Sequence, residues 1–164
     1  VADRLVVVDA SPLIALAAAD ASHLLRHLFV RVTVTRSVHD EVMAGAPRPG
    51  SVELERAIAE GWIDVSPDPA GAALFPELGP GEATTVALAD AHLGPTLVLM
   101  DDPLGRARAR SLGLDVSGVA AILLAAKRAG AIDAVKPSLA RLVGSGFRMS
   151  EDLIAGLLDA ADEA

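Results

Sequence analysis

"LVVVDASPLI", residues 5–14, decides the fold. An apolar run rich in Val stops at Asp9, a Ser-Pro pair follows, and apolar character then resumes. A short, nearly all-apolar run of this kind is the pattern of a strand buried on both faces. Ser11 before Pro12 reads as a helix start, with serine as N-cap and proline in the first helical position. The chain therefore opens with a strand over Leu5–Asp9 and a helix running to about Leu28. A carboxylate at the rim of a buried strand is costly unless something pairs with it.

The same design returns in "LVLMDDP", residues 97–103. Leu97–Asp101 reads as a strand, Asp102 as an N-cap, and Pro103–Leu112 as a helix. Asp9 and Asp101 are then expected at equivalent places on two strands of one sheet. That symmetry favours Asp101 over Asp102 for chemistry, but spacing leaves both open. The remaining chain alternates in the same way. Val30–Val34, Trp62–Val65 and Leu114–Ser117 read as strands. Ser37–Ala44, Ser51–Glu60, Gly81–Leu93, Val119–Ala129, Pro137–Val143 and Ser150–Ala161 read as helices, several closed by glycine. "PDPAGAALFPELGP", residues 67–80, and "GAPRPG", residues 45–50, read as loops. Alternating strands and helices predict a mostly parallel sheet with helices on both faces. In such sheets functional groups gather beyond the carboxyl ends of the strands, near the point where strand order reverses.

The 164 residues fit a single domain, residues 1–164, with 52% hydrophobic content carried by Ala, Leu and Val rather than by aromatics. Cysteine is absent, so disulfides and cysteine-based zinc sites are excluded. No basic leader precedes an apolar stretch and no run reaches membrane-span length, so a cytoplasmic protein with no membrane partner is expected. The net charge of −8 argues against capture of nucleic acid by the whole surface, though not against a local basic groove.

Two further acids have suggestive contexts. Glu41 lies in "SVHDEVM" with Val38, Val42 and Met43 on its apolar side, and Glu82 lies in the first turn of the helix that opens "GPGEATTVALA". Carboxylates brought together repel and raise one another's pKa. A hard divalent cation resolves that conflict, and few carboxylates plus water suit Mg²⁺ or Mn²⁺. Such ions activate water and stabilise the leaving oxygen in phosphodiester hydrolysis.

With "VVVDASPLI", "SVHDEV", "GPGEATTVALA" and "LVLMDD" in this order, the sequence resembles the PIN-domain family of metal-dependent nucleases. The tail "GLDVSGVAAILLAAKRAGAI" is similar to a branch related to VapC-type toxins, long catalogued as a domain of uncharacterised function. The resemblance covers nearly the whole chain. It implies a three-layer α/β sandwich and a Mg²⁺- or Mn²⁺-dependent ribonuclease of the toxin-antitoxin kind. Asp9, Glu41, Glu82 and the Asp101–Asp102 pair fall on the family's acidic positions. Ser11 falls where the family often has a small hydroxyl residue near the metal. Glu82 departs from the pattern, because many PIN nucleases carry Asp there. The resemblance also implies an RNA substrate, a small antitoxin partner and a homodimer.

Structural readings stand beside these. Asp102 is a sufficient N-cap by itself, Glu82 suits a helix dipole without any metal, and Glu41 alone is an ordinary surface acid. Asp40 and Asp90 read as solvated. "GRARAR" places Arg106 and Arg110 on one helix face at i,i+4, able to hold a phosphate backbone or simply to offset nearby acids. His23, His27, His39 and His92 have no trustworthy metal-ligand spacing. Trp62 and the three Phe residues read as core, and so few aromatics argue against a base-stacking platform. "MSEDLIAGLLDAADEA" is an amphipathic helix that either packs on its own domain or offers a partner surface. Two other functions remain: an inactive PIN-like binding module, and a phospho-accepting receiver-like domain. The second lacks the acid pair after the first strand and the late lysine it needs.

Overall fold

The computed structural model describes residues 4–164. The strands are β1 (Leu5–Val8), β2 (Val32–Thr35), β3 (Ile63–Ser66), β4 (Thr96–Leu99) and β5 (Val116–Ser117). All pair in parallel, in the order β3-β2-β1-β4-β5. The helices are α1 (Ala10–Ala18), α2 (His23–Leu28), α3 (Arg36–Met43), α4 (Ser51–Ala59), α5 (Pro80–Ala91), α6 (Pro103–Ser111), α7 (Val119–Arg128), α8 (Lys136–Gly144) and α9 (Glu151–Ala160). A 3-10 helix, Ala70–Leu74, interrupts the stretch expected as plain loop.

Strand pleating divides the core in two. Val6 and Val8 of β1, with Leu97 and Leu99 of β4, face a large apolar layer built with α1, α2, α3, α4, α7, α8 and α9. Val7, Val98 and Met100 face the other way, onto a smaller layer with Phe75, α5 and Ala109 of α6. Successive side chains of a strand point to opposite faces, so a strand covered on both, as β1 and β4 are, carries apolar residues toward each layer. That is why "LVVV" and "TLVL" were legible as strands.

The first helix differs from expectation. It begins at Ala10, with Asp9 rather than Ser11 at the N-cap, because the extended backbone persists through Asp9 (ψ 166°). Pro12 then sits within the first turn, where no intrahelical N–H bond is lost. The helix also stops at Ala18 rather than Leu28. Asp20 turns left-handed (φ 55°), a conformation aspartate tolerates better than most residues.

The last helix packs on its own domain. Leu157 is buried, Ile154 and Leu158 pack against the large core, and Leu153 stays 48% exposed. Phe75 is buried, while Phe29, Phe147 and Trp62 lie half-buried at the margin of the large core. Among the described residues no helix is long and apolar enough to cross a membrane.

Candidate metal centre

Chain direction reverses its order at β1. From β1 the chain builds outward to β2 and β3, then crosses back to place β4 on the other side of β1. Loops leaving β1 and β4 diverge there, and a crevice opens beyond their carboxyl ends. Asp9 follows β1 and the Asp101–Asp102 pair follows β4, so all three acids lie at the carboxyl end of the sheet.

Register separates the pair. Val8 pairs with Leu99, and the Asp9 amide donates to the Leu99 carbonyl at 3.0 Å, so Asp9 is level with Met100, not with Asp101. Asp9 continues the parity of Val7, toward the α5 layer. Asp101 continues the parity of Leu97 and Leu99, toward α7. The expected equivalence of Asp9 and Asp101 is therefore corrected: they point to opposite sides of the sheet.

Their surroundings differ accordingly. Asp101 accepts the Val119 amide at 3.1 Å, so it serves the start of α7, where the N-cap is Gly118 and has no side chain to offer. Burial pushes its pKa up, while the Val119 amide and the Arg106 guanidinium pull it down. Arg106 also donates to the Met100 carbonyl at 2.8 Å. Burial and the neighbouring Arg110 lower the Arg106 pKa, and Asp101 opposes them. Arg106 is thus engaged in holding the β4–α6 corner, and Arg110 is the exposed member of the pair. Asp102 caps α6, accepting the Gly105 amide at 2.7 Å, and its charge also reaches Asp9.

Asp9 is 1% exposed, and its Oδ1 is buried without a hydrogen-bond partner. Burial first, then the charge of Glu82, pushes its pKa up to about 7; Glu41 and Asp102 add to this, and the Ala10 amide works against it. Glu41 is raised as well, by burial and Glu82, with Arg48 opposing. Asp9, Glu41, Glu82 and Asp102 therefore share one electrostatic neighbourhood, while Asp101 faces away.

Gly81 makes the approach possible. A Cβ there would lie 2.7 Å from Glu41 Oε2 and 3.1 Å from Asp9 Oδ1, so the two carboxylate oxygens converge on the space a side chain would fill. Arg48 is held beside Glu41, donating to the Val42 carbonyl at 3.4 Å and to the Glu41 carbonyl. Sequence reasoning missed both. The glycine directly before Glu82 was a usable signal, whereas Arg48 reaches back seven residues from a loop and left none. Ser11 is exposed in the first turn of α1 and lines a cavity of about 310 Å³ with Ile14, Phe147 and Arg148. A cavity of about 630 Å³ lies at the amino ends of the strands, around Leu5, Phe29 and His92, and has no acid of the cluster in its lining.

Among the described residues, no three Asp, Glu or His side chains stand close enough together to hold an ion directly. A convergent pair is nevertheless what Mg²⁺ takes, since it usually binds one or two carboxylates and keeps several waters. The orphaned Asp9 oxygen and the Glu41 oxygen that converges with it beside Gly81 fit such an ion.

A family model described as a PIN domain matches residues 5–163. The chain belongs to the PIN-domain family. Its sheet is the parallel sheet of a PIN-like sandwich, and the family is one of nuclease-type folds that typically use divalent metals. No curated protein and no solved structure matches the chain closely enough to count as a relative.

Proposed function

We propose that this PIN domain is a Mg²⁺- or Mn²⁺-dependent ribonuclease that hydrolyses RNA phosphodiester bonds at the carboxyl end of β1. One observation carries the reading: a fully buried carboxylate oxygen, Asp9 Oδ1, has no partner and converges with Glu41 on one space. A buried acceptor left unsatisfied is expensive, and native folds keep such groups where a ligand or ion completes them.

Asp9 and Glu41 would hold the ion, with the charges of Glu82 and Asp102 nearby. A bound ion of this kind lowers the pKa of water and stabilises charge on the leaving oxygen. The chain's own groups do the rest. Arg48 opposes the rise that burial and Glu82 impose on the Glu41 pKa, which favours the ionised carboxylate. Ser11, exposed in the first turn of α1, offers a hydroxyl to a substrate phosphate, and Arg110 offers a cation. Asp101, tied to Val119, and Arg106, tied to Met100, fix the β4 side of the crevice.

The test is cleavage of structured and unstructured RNA with Mg²⁺, Mn²⁺ or chelator. Cleavage that needs the ion and disappears in Asp9→Asn is the expected result. Activity that survives chelation overturns the reading. A PIN-like binding module without activity is the second reading, favoured by Glu82 at a position where many family members carry Asp; RNA bound but never cut decides for it. Within the nuclease reading, the chain is a toxin that pairs as a homodimer and is restrained by a small antitoxin. Light scattering that gives a monomer at high concentration removes the dimer. Intact cellular RNA on overexpression of the chain alone removes the toxin.

A further inference from the structure

We propose that Thr35 and Thr84 form a buried hydroxyl relay that sets the distance between the helices bearing Glu41 and Glu82, which makes Thr84 a positioning residue for the acidic site. The proposal rests on the reading of those acids as one metal-binding site.

Both threonines are buried, and their Oγ1 atoms lie 2.8 Å apart. Thr35 is the N-cap of α3 and accepts the Val38 amide at 3.2 Å. Thr84 Oγ1 lies 2.8 Å from the Pro80 carbonyl and 3.1 Å from the Gly81 carbonyl, in the first turn of α5. Each hydroxyl carries one proton and two lone pairs. Only one direction satisfies every group. The Val38 amide donates to Thr35, Thr35 donates to Thr84, and Thr84 donates back to the first turn of α5. The reverse direction leaves the Thr35 proton without an acceptor and those carbonyls without the hydroxyl. The relay therefore has a fixed sense and a fixed length.

Its two ends are the first turns of α3 and α5. Glu41 lies further along α3, Glu82 lies in that turn of α5, and Gly81 between them admits Glu41 and Asp9. Stability alone does not call for the link, because a matched apolar pair of the same shape holds two helices about as well. What a directed bond adds is geometry: it fixes one separation and one rotation. A shift of a few tenths of an ångström between α3 and α5 would move Glu41 relative to Asp9.

The experiment compares Thr84→Val, which keeps the shape and removes the hydroxyl, with Thr84→Ser, which keeps the hydroxyl. Mn²⁺ affinity is measured by titration at a temperature where circular dichroism shows each variant folded, and kcat and KM are measured on RNA. Thr84→Val is expected to weaken Mn²⁺ binding about 10- to 100-fold, the effect usual for groups that orient metal ligands. It should lower kcat with KM for RNA nearly unchanged, and Thr84→Ser should restore both. A Thr84→Val protein that melts earlier yet binds Mn²⁺ with wild-type affinity overturns the proposal and leaves the threonines as packing. If the wild type takes up no Mn²⁺, the metal reading itself falls. The relay is then judged from crystal structures of the metal-free wild type and Thr84→Val: a changed separation between the first turns of α3 and α5 supports it, and coincident helices overturn it.

Discussion

The ends of β1 and β4 look alike in sequence and behave as opposites in structure. Each is a buried apolar strand that runs into an aspartate before a helix. At β4, Asp101 accepts the Val119 amide and has Arg106 beside it, so partners the chain supplies work against the burial that raises its pKa. At β1, Asp9 is buried more deeply, has an orphaned oxygen, and is surrounded by like charge. One residue of register makes this difference, since Asp9 is level with Met100 and Asp101 lies one position beyond it. A satisfied acid reads as architecture. An unsatisfied one reads as a place where something else must bind.

The comparison is broken most directly by activity. Asp9→Asn is expected to lower metal-dependent RNA cleavage by more than about a hundredfold, since even groups outside a metal's ligand shell are worth about 10- to 100-fold. Asp101→Asn, which keeps an oxygen to accept the Val119 amide, should cost less than about tenfold. Equal losses, measured as kcat/KM in Mn²⁺, would make the two strand ends equivalent.

Much of this was legible in the sequence, for identifiable reasons. The strand β1 is apolar at every position, and β4 is apolar after Thr96, because both faces are covered. The helix α5 was bracketed by its Gly-Pro start and its Glu82 first turn. Register was not legible. No local signal says which residue of β4 stands beside Asp9, so symmetry favoured Asp101 while leaving Asp102 open, and the pleat brings Asp102 to the Asp9 side. The break at Asp20 was hidden because aspartate, unlike glycine, announces no left-handed turn. Arg48 and the Thr35–Thr84 pair were hidden because their contacts join elements distant in the chain or reach out of loops.

Stability of the metal-free protein sharpens the contrast next. The folded-state pKa of Asp9 stands at about 7, above its ordinary 3.8, so the fold binds a proton that the unfolded chain releases. Stability therefore falls as pH rises from about 4 to 7, and the cost is fully present above that. Asp9→Asn should stabilise the metal-free protein at pH 8 by on the order of one to four kcal/mol, a gain that fades near pH 4. Chemical denaturation at both pH values measures it. Added Mg²⁺ or Mn²⁺ should stabilise the wild type alone, by about 2.7 kcal/mol at a hundred times the dissociation constant. A variant less stable than wild type at pH 8 without metal would make Asp9 a structural acceptor like Asp101.

At the other strand end the sign should reverse. Asp101→Ala removes the acceptor for the Val119 amide and leaves the start of α7 uncapped. The expected loss is about 1 kcal/mol, the usual worth of a cap. Hydrogen exchange should show it as earlier opening of the first turn of α7. If Asp101→Ala instead stabilises the metal-free protein, Asp101 shares the strain of Asp9 and the division between the two ends fails.

The smallest effect concerns a third acid, whose pH dependence should run opposite to that of Asp9. Glu163 accepts the Lys127 ammonium at 2.8 Å, the Val135 amide at 2.7 Å and the Lys136 amide at 3.0 Å. Lys127 also donates to the Ala161 carbonyl, so the end of α9 is clasped to α7 and to the start of α8. These donors, the ammonium foremost, pull the Glu163 carboxyl down to about 2 from its ordinary 4.5. Its contribution is fully present above about pH 4.5 and is lost as pH falls toward 2. Melting of wild type and Glu163→Gln should therefore differ at pH 6, with wild type higher, and converge by about pH 2. The Asp9→Asn difference has the opposite sign and the opposite pH limit, being largest in alkali. The clasp lies at the rim of the domain, where water and salt screen charge, so the shift should shrink further in high salt. A Glu163→Gln protein that melts like wild type at pH 6 would show that the apolar contacts of Leu157 and its neighbours hold α9 without the clasp.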